Sequence, residues 1–144
     1  MESASMGIVY ADIELTNGDD LAFFRRGHFS EEQIHRCSVR AMVDSGATML
    51  AIPELIQKQL DLQPITQLEA ALADGSASMF EVVAPVEVRF QNRRTSVDAL
   101  VVPGSDVVLL GAIPMEGMDV LINPKRERLI VNSESPDVAR MLLM

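Results

Sequence analysis

Short apolar stretches separated by polar turns run along most of this chain. Residues 7–15 alternate apolar and polar positions towards their end, the period of a strand with one buried face. Residues 107–111 are continuously apolar, which is typical of a strand covered on both faces. Further strands are predicted over residues 39–43, 65–73, 78–90, 95–102, 120–122 and 128–131.

Helical signals are few and short. Pro53 opens a segment with apolar residues at helical spacing, so a short helix is predicted over residues 53–60, and a second helix or turn over residues 113–118. Residues 17–20 indicate a turn, residues 21–24 a short strand, and Ser30 can cap a helix start or loop that follows it. The pattern therefore predicts an all-β fold with one or two short helices.

A long two-stranded arm is predicted around Asp74, Gly75 and Ser76. Aspartate and glycine tolerate the positive φ of tight hairpins, and strand-like segments lie on both sides of this turn. Pro85 lacks an amide donor, so the second strand of the arm should bend or lie at an edge there.

The composition indicates a single domain and argues against some kinds of partner. The 144 residues are 48% hydrophobic, which suits one domain with its own core, and 21 acidic against 12 basic residues give a net charge of -9. This charge argues against nucleic acid and anionic membranes as partners. The single cysteine, Cys37, forms no internal disulfide, and no segment is long and apolar enough to span a bilayer, so a cytoplasmic protein is expected.

The strongest chemical signal lies in residues 41–48, where an apolar run leads into Asp44, Ser45 and Gly46. A buried strand that ends there would place Asp44 at the floor of a cleft, and Gly46 permits a sharp backbone reversal. A weaker echo, Leu109-Leu110-Gly111, also leads from apolar residues into a glycine and a short helix.

These motifs resemble the retropepsin-like aspartic proteases, the single-domain relatives of retroviral proteases. The resemblance rests on residues 43–48, on the Asp74-Gly75-Ser76 hairpin at the position of the flap, and on Leu109-Leu110-Gly111. It implies a small closed β-barrel over residues 6–131 that forms a homodimer, preceded by a leader or disordered segment at residues 1–5. Residues 132–144 would be a C-terminal tail and a candidate dimer contact.

The resemblance also implies the chemistry, which is peptide-bond hydrolysis on polypeptide substrates without metal or cofactor. Asp44 from each subunit would form the catalytic pair, with Ser45 and Gly46 shaping the loop. Ala47, Thr48 and the flap residues Asp74, Gly75 and Ser76 would contact substrate. Two carboxylates that share one proton can act as base and acid together, and one Asp-Ser-Gly element per chain requires a second copy.

Two departures from the family stand out. Residues 112–115, directly after Gly111, are Ala-Ile-Pro-Met, where viral members carry a polar helix start with an arginine. Residues 137–144 look like an amphipathic turn of helix, whereas viral chain ends form a shared sheet.

Some of these residues also allow other interpretations. Asp44 could simply cap a turn, and Ser45 lacks the surroundings of a serine nucleophile. His28, His35 and Cys37, near Glu31 and Glu32, match no common zinc spacing. The alternative functions are a catalytically silent dimer of the same fold, acting as a peptide-binding or oligomerisation module, and a small β-barrel ligand carrier.

Overall fold

The computed structural model describes residues 8–143 and is mostly β-structure. The strands are β1 (Val9–Asn17), β2 (Arg36–Val43), β3 (Leu50–Pro53), β4 (Pro64–Ala71), β5 (Ala77–Phe90), β6 (Arg93–Val102), β7 (Val108–Leu110), β8 (Val120–Asn123) and β9 (Arg128–Val131). The helices are α1 (Gly18–Arg25), α2 (Glu54–Gln59) and α3 (Ala112–Met118), with a 3₁₀ turn at Glu31–Gln33.

Seven strands form one sheet in the order β1-β2-β7-β3-β6-β5-β4, and β8 and β9 form a separate hairpin. β1 pairs antiparallel with β2 on one side and with β5 on the other. The hydrogen-bonded order therefore returns to its first strand through β5, and, of the seven strands of this sheet within residues 8–143, β4 lies outside the ring. β2 and β7 run parallel, which brings their carboxyl ends together.

The core lies inside this ring of strands. Along β1 every second side chain from Val9 to Leu15 is buried, as the alternating pattern predicts. The largest fully buried side chains come from several different elements and include Leu15, Leu50, Ile52, Leu60, Leu110 and Met118. Burial of these side chains is the main force that holds the sheet closed on itself.

The predicted arm is present as the β4–β5 hairpin. β4 pairs with β5 from Thr66 to Ala71, and the β5–β6 register shifts between Val83 and Val86, on either side of Pro85. The bend expected at Pro85 is therefore confirmed, because proline cannot donate to the ladder.

The region after β1 differs from the prediction. Residues 17–20 do not form a turn and residues 21–24 do not form a strand, because α1 spans Gly18–Arg25. Asn17 is its N-cap, and its side-chain oxygen accepts hydrogen bonds from the backbone N–H groups of Asp19 (2.9 Å) and Asp20 (3.1 Å). Local capping thus outweighs the apolar run that favoured a strand.

The tail also differs from the prediction. No helix forms within residues 132–143; residues 132–140, named here the C-terminal strap, run without regular structure along the domain. Beyond it, Met141, Leu142 and Leu143 are exposed. The leader predicted at residues 1–5 lies outside the described residues, as does Met144.

No helix within residues 8–143 is both long enough and apolar enough to cross a bilayer.

Candidate active site

Asp44 directly follows β2, where that strand runs beside β7. Its backbone N–H donates to the carbonyl of Leu110, the last residue of β7, at 3.0 Å. Val43 and Leu110, which pair across the two strands, are both buried. The backbone of Asp44 is therefore fixed at the end of a core strand, while its side chain is exposed.

A tight turn closes beside the Asp44 carboxylate. The Gly46 N–H donates to Asp44 Oδ1 at 2.9 Å, and the Ala47 N–H donates to the Asp44 carbonyl at 3.1 Å. A Cβ at Gly46 would lie 3.2 Å from Asp44 Oδ1. Gly46 therefore serves close approach to the carboxylate, since its φ is not in the left-handed region.

Gly111 and the first residues of α3 pack against this loop, a contact that the sequence motifs did not predict. The Ala112 N–H donates to the Ala47 carbonyl at 2.8 Å, and the Ile113 N–H donates to the Thr48 carbonyl at 2.9 Å. A Cβ at Gly111 would lie only 2.4 Å from the carbonyl oxygen of Met49. The signal was present in the Leu109-Leu110-Gly111 echo, but only the fold shows that the two glycine elements pack on each other.

The remaining loop residues present their side chains to solvent. Ser45 and Thr48 are exposed and Ala47 is half-buried. Within residues 8–143 the Ser45 hydroxyl makes no hydrogen bond. The structure thus gathers Asp44, Ser45, Gly46, Ala47 and Thr48 in one surface loop, and their functional roles stay predictions.

Asp74, Gly75 and Ser76 form the tip of the β4–β5 hairpin, away from the Asp44 loop in sequence. Gly75 has φ +88°, so the glycine is required by the turn itself. Asp74 Oδ1 accepts hydrogen bonds from the Ser76 hydroxyl (2.6 Å) and backbone N–H (2.9 Å), which lower the pKa of Asp74. No hydrogen bond joins this tip to the Asp44 loop in the described part of the chain.

The histidines and the cysteine are placed apart from this loop. His35 Nδ1 lies 2.7 Å from Asp20 Oδ2, and burial raises the pKa of the Cys37 thiol. Among the described residues, no group of three or more His, Cys, Asp or Glu side chains is arranged to hold a metal ion.

Two surface depressions lie elsewhere. One, of about 270 Å³, lies between the end of α2 and the start of β4, and another, of about 310 Å³, lies beside β1 and β5. Neither is lined by Asp44. The Asp44 carboxylate of a single chain is therefore exposed on the surface and lies in neither depression.

Fold and loop define a mostly β protein that presents one aspartate from an Asp-Ser-Gly turn. The family described as aspartyl protease matches residues 33–114, which include this turn, the hairpin and Gly111. The chain belongs to this family. The resemblance to retropepsin-like aspartic proteases is thereby confirmed.

Among solved structures, the chain is similar to the solution structure of simian foamy virus (mac) protease. The sequence identity is 21% and the TM-score 0.47, and the match covers 74% of this chain and 90% of that chain. A search of curated proteins found no match to the sequence.

Proposed function

We propose that the protein is an aspartic endopeptidase in which Asp44 of two identical subunits forms one active site. The observation that carries this proposal is the placement of Asp44. Its backbone is held by a core strand, and its carboxylate is exposed with a hydrogen bond from Gly46. Such a carboxylate is rigidly placed and still free to meet a second one.

The surface around Asp44 supports association of two copies. Ile8 is 64% exposed and precedes Val9, which pairs with Val43 beside Asp44. Ile113 is 48% exposed and bonds the Thr48 carbonyl through its backbone. Exposed apolar side chains around a polar centre are typical of protein interfaces. We propose a homodimer of closed barrels that meet at this end of the sheet.

The mechanism follows from pairing two carboxylates. Close together they cannot both ionise cheaply, so they hold one proton between them. The ionised Asp44 takes a proton from a water molecule, and the protonated Asp44 of the other copy donates to the oxygen of the scissile carbonyl. Water adds directly to the carbonyl carbon, so no acyl-enzyme forms. The C–N bond then breaks as the Asp44 that took the proton from water gives it to the amine nitrogen, and the other Asp44 recovers a proton from the hydroxyl group that it protonated.

The neighbouring residues then have positional roles. Ser45 would link the two loops across the dimer axis through its hydroxyl, and Gly46 would let substrate approach the carboxylates. Ala47 and Thr48 would line the substrate path. The hairpin tip at Asp74, Gly75 and Ser76 would close over a bound polypeptide and exclude water. Since Cys37 forms no disulfide, the compartment proposed for this reaction is the cytoplasm.

The direct test is hydrolysis of unfolded polypeptides at about pH 4 to 7 by the wild-type protein and by Asp44→Asn. We expect cleavage by the wild type alone, inhibition by statine-type peptide mimics, and loss of rate at alkaline pH, where the shared proton is lost. Equal cleavage by both proteins refutes the role of Asp44. Peptide binding without hydrolysis, unchanged in Asp44→Asn, identifies instead a silent binding module.

A further inference from the structure

Helix α3 is tied to the Asp44 loop at its first turn. The bonds from Ala112 and Ile113 to the carbonyls of Ala47 and Thr48 join the two segments. The helix is also packed along its length, with Met115 and Met118 buried. A Cβ at Gly117 would lie 2.4 Å from Thr95 Oγ1, so the helix lies directly against β6. Close packing of this kind transmits a displacement at one end of the helix to the other.

The other end of α3 is held by Asp119. This residue ends the helix in the left-handed conformation, at φ 56° and ψ 56°. Its carboxylate accepts hydrogen bonds from three groups of the C-terminal strap: Asn132 Nδ2 at 3.0 Å, the Ser135 hydroxyl, and the Arg140 backbone N–H at 3.0 Å. One side chain thus fastens both ends of the strap to the end of the helix.

Arg93 also binds the C-terminal strap, from the buried side. This arginine is 2% exposed, and its Nη2 donates to the Ser135 carbonyl. Its Nε and Nη1 have no hydrogen-bond partner among the described residues. The pKa of Asp119 is lowered mainly by its hydrogen bonds from Ser135, Asn132 and Arg140, and the positive charge of Arg93 adds a smaller contribution. Ser135, itself buried, connects the two charges by its carbonyl and its hydroxyl.

We infer that Asp119 is a positioning residue for the Asp44 loop, acting through the strap and α3. With the strap fastened, the carboxyl end of α3 is fixed between Asp119 and β6, and its amino end holds the carbonyls of Ala47 and Thr48. With the strap released, the same helix is held by its packing alone, so the Asp44 loop loses a fixed support. The strap is therefore part of the machinery that sets the catalytic geometry. In its catalytic consequence this inference rests on the proposed function.

Residue-resolved amide hydrogen exchange tests the attachment without any need for activity. The variants are Ser135→Ala, which removes one donor to Asp119, and Asp119→Asn, which keeps a residue type that tolerates the left-handed conformation. The controls are Ser133→Ala and Asp98→Asn, which make the same changes at exposed positions. We expect exchange of the Ala112 and Ile113 amides to quicken roughly tenfold in the first pair only.

Exchange of a core amide such as that of Val88 separates local from global effects. If the Ala112 and Ile113 amides are unchanged, or quicken only by the same factor as Val88, the inference is overturned, because the strap then contributes only general stability.

Peptide hydrolysis provides the second readout. We expect kcat to fall roughly tenfold in Ser135→Ala and KM to change by a smaller factor, since the position of the Asp44 carboxylate is disturbed more than the substrate contacts of Ala47 and Thr48. An unchanged kcat overturns the positioning role. A wild-type protein that cleaves nothing refutes the proposed function, and hydrogen exchange then still decides whether the strap supports the loop.

Discussion

At the scale of single residues, the site depends on backbone atoms that lie unusually close together. Gly111 has carbonyl oxygens of Met49 and Ala47 where a Cβ would stand, at 2.4 and 2.7 Å. These oxygens belong to the backbone of the Asp44 loop, which is hydrogen-bonded to neighbouring segments, so they cannot move away from a new Cβ as the end of a flexible side chain could. The glycine is therefore fixed by steric contact with the Asp44 loop.

Gly111→Ala should consequently destabilise the protein by about 2 kcal/mol or more, in the range of overpacked sites. Gly104→Ala is the matched control, because Gly104 has left-handed φ but nothing within 4 Å of a Cβ, so only strain of about 1 kcal/mol is expected. Urea unfolding measures both. A smaller loss for Gly111→Ala than for Gly104→Ala would show that the loop adapts.

Asp119 gives a pH-dependent prediction. Hydrogen bonds from Ser135 and Asn132 lower its pKa from 3.8 to about 2. A carboxylate with a lowered pKa stabilises the fold above its unfolded pKa, and this stabilisation disappears as the pH falls through about 2. The difference in unfolding free energy between wild type and Asp119→Asn should be largest above about pH 4 and shrink towards pH 2. A difference that is constant across this range contradicts the assignment.

At the scale of elements, long-range bonds decide the segments that local pattern does not. Asn17 caps α1 with its oxygen, and its Nδ2 donates to the carbonyls of Leu60 (2.9 Å) and Asp61 (3.1 Å) at the end of α2. The Asn17 side chain is buried, and its hydrogen bonds connect the start of α1 to the end of α2.

Asn17→Ala should therefore cost about 2 to 3 kcal/mol of stability, since a cap and buried hydrogen bonds are lost together. Asn123→Ala removes a comparable cap from the exposed turn that starts at Asn123, where Asn123 Oδ1 accepts from Lys125 and Arg126, and should cost less than about 1 kcal/mol. Thermal or urea unfolding distinguishes the two. Equal losses would mean that the bonds to α2 contribute nothing.

The β4–β5 hairpin is the least protected element. Within residues 8–143, β4 pairs with β5 alone, and its residues are exposed almost throughout. Amides of β4 should thus exchange faster than those of β6, which has neighbours on both sides. Nicking by an added protease should occur first near the tip at residues 72–76. Exchange in β4 as slow as in β6 would argue against a mobile flap.

The elements with a clear period could be predicted from sequence, and those set by distant partners could not. The alternation in β1, the arm around Gly75 and the helix after Pro53 follow from local physics, and all three are present. The strand predicted over residues 21–24 is wrong because Asn17 caps a helix there, and this cap outweighs the preference of the apolar residues for a strand. The turn of helix predicted for the tail is also wrong, because hydrogen bonds from Arg93 and to Asp119, which lie in other segments, determine the course of the strap.

The candidate site divides in the same way. The Asp-Ser-Gly turn, the hairpin and the second glycine element were visible as motifs. That Gly111 lies against the loop, and that Asp119 holds the far end of α3, follow only from tertiary packing. Residue types reveal candidate chemistry, whereas the supports of that chemistry come from contacts between distant segments.

At the scale of the whole molecule, one chain carries half of the proposed site. Asp44 is exposed at the end of β2, and the apolar side chains of Ile8 and Ile113, which belong to segments that pair with β2 and with the Asp44 loop, are exposed as well. Two copies related by twofold symmetry would cover these side chains and bring the two carboxylates together. Activity should therefore depend on pairs of intact chains.

Mixing wild type with Asp44→Asn at constant total concentration, after subunits have exchanged, measures this dependence most directly. If each active site needs Asp44 from both chains, peptide hydrolysis by an equal mixture falls to about one quarter of the wild-type rate, because about one quarter of randomly formed pairs contain two intact chains. A rate of about one half, as independent chains would give, contradicts the shared site.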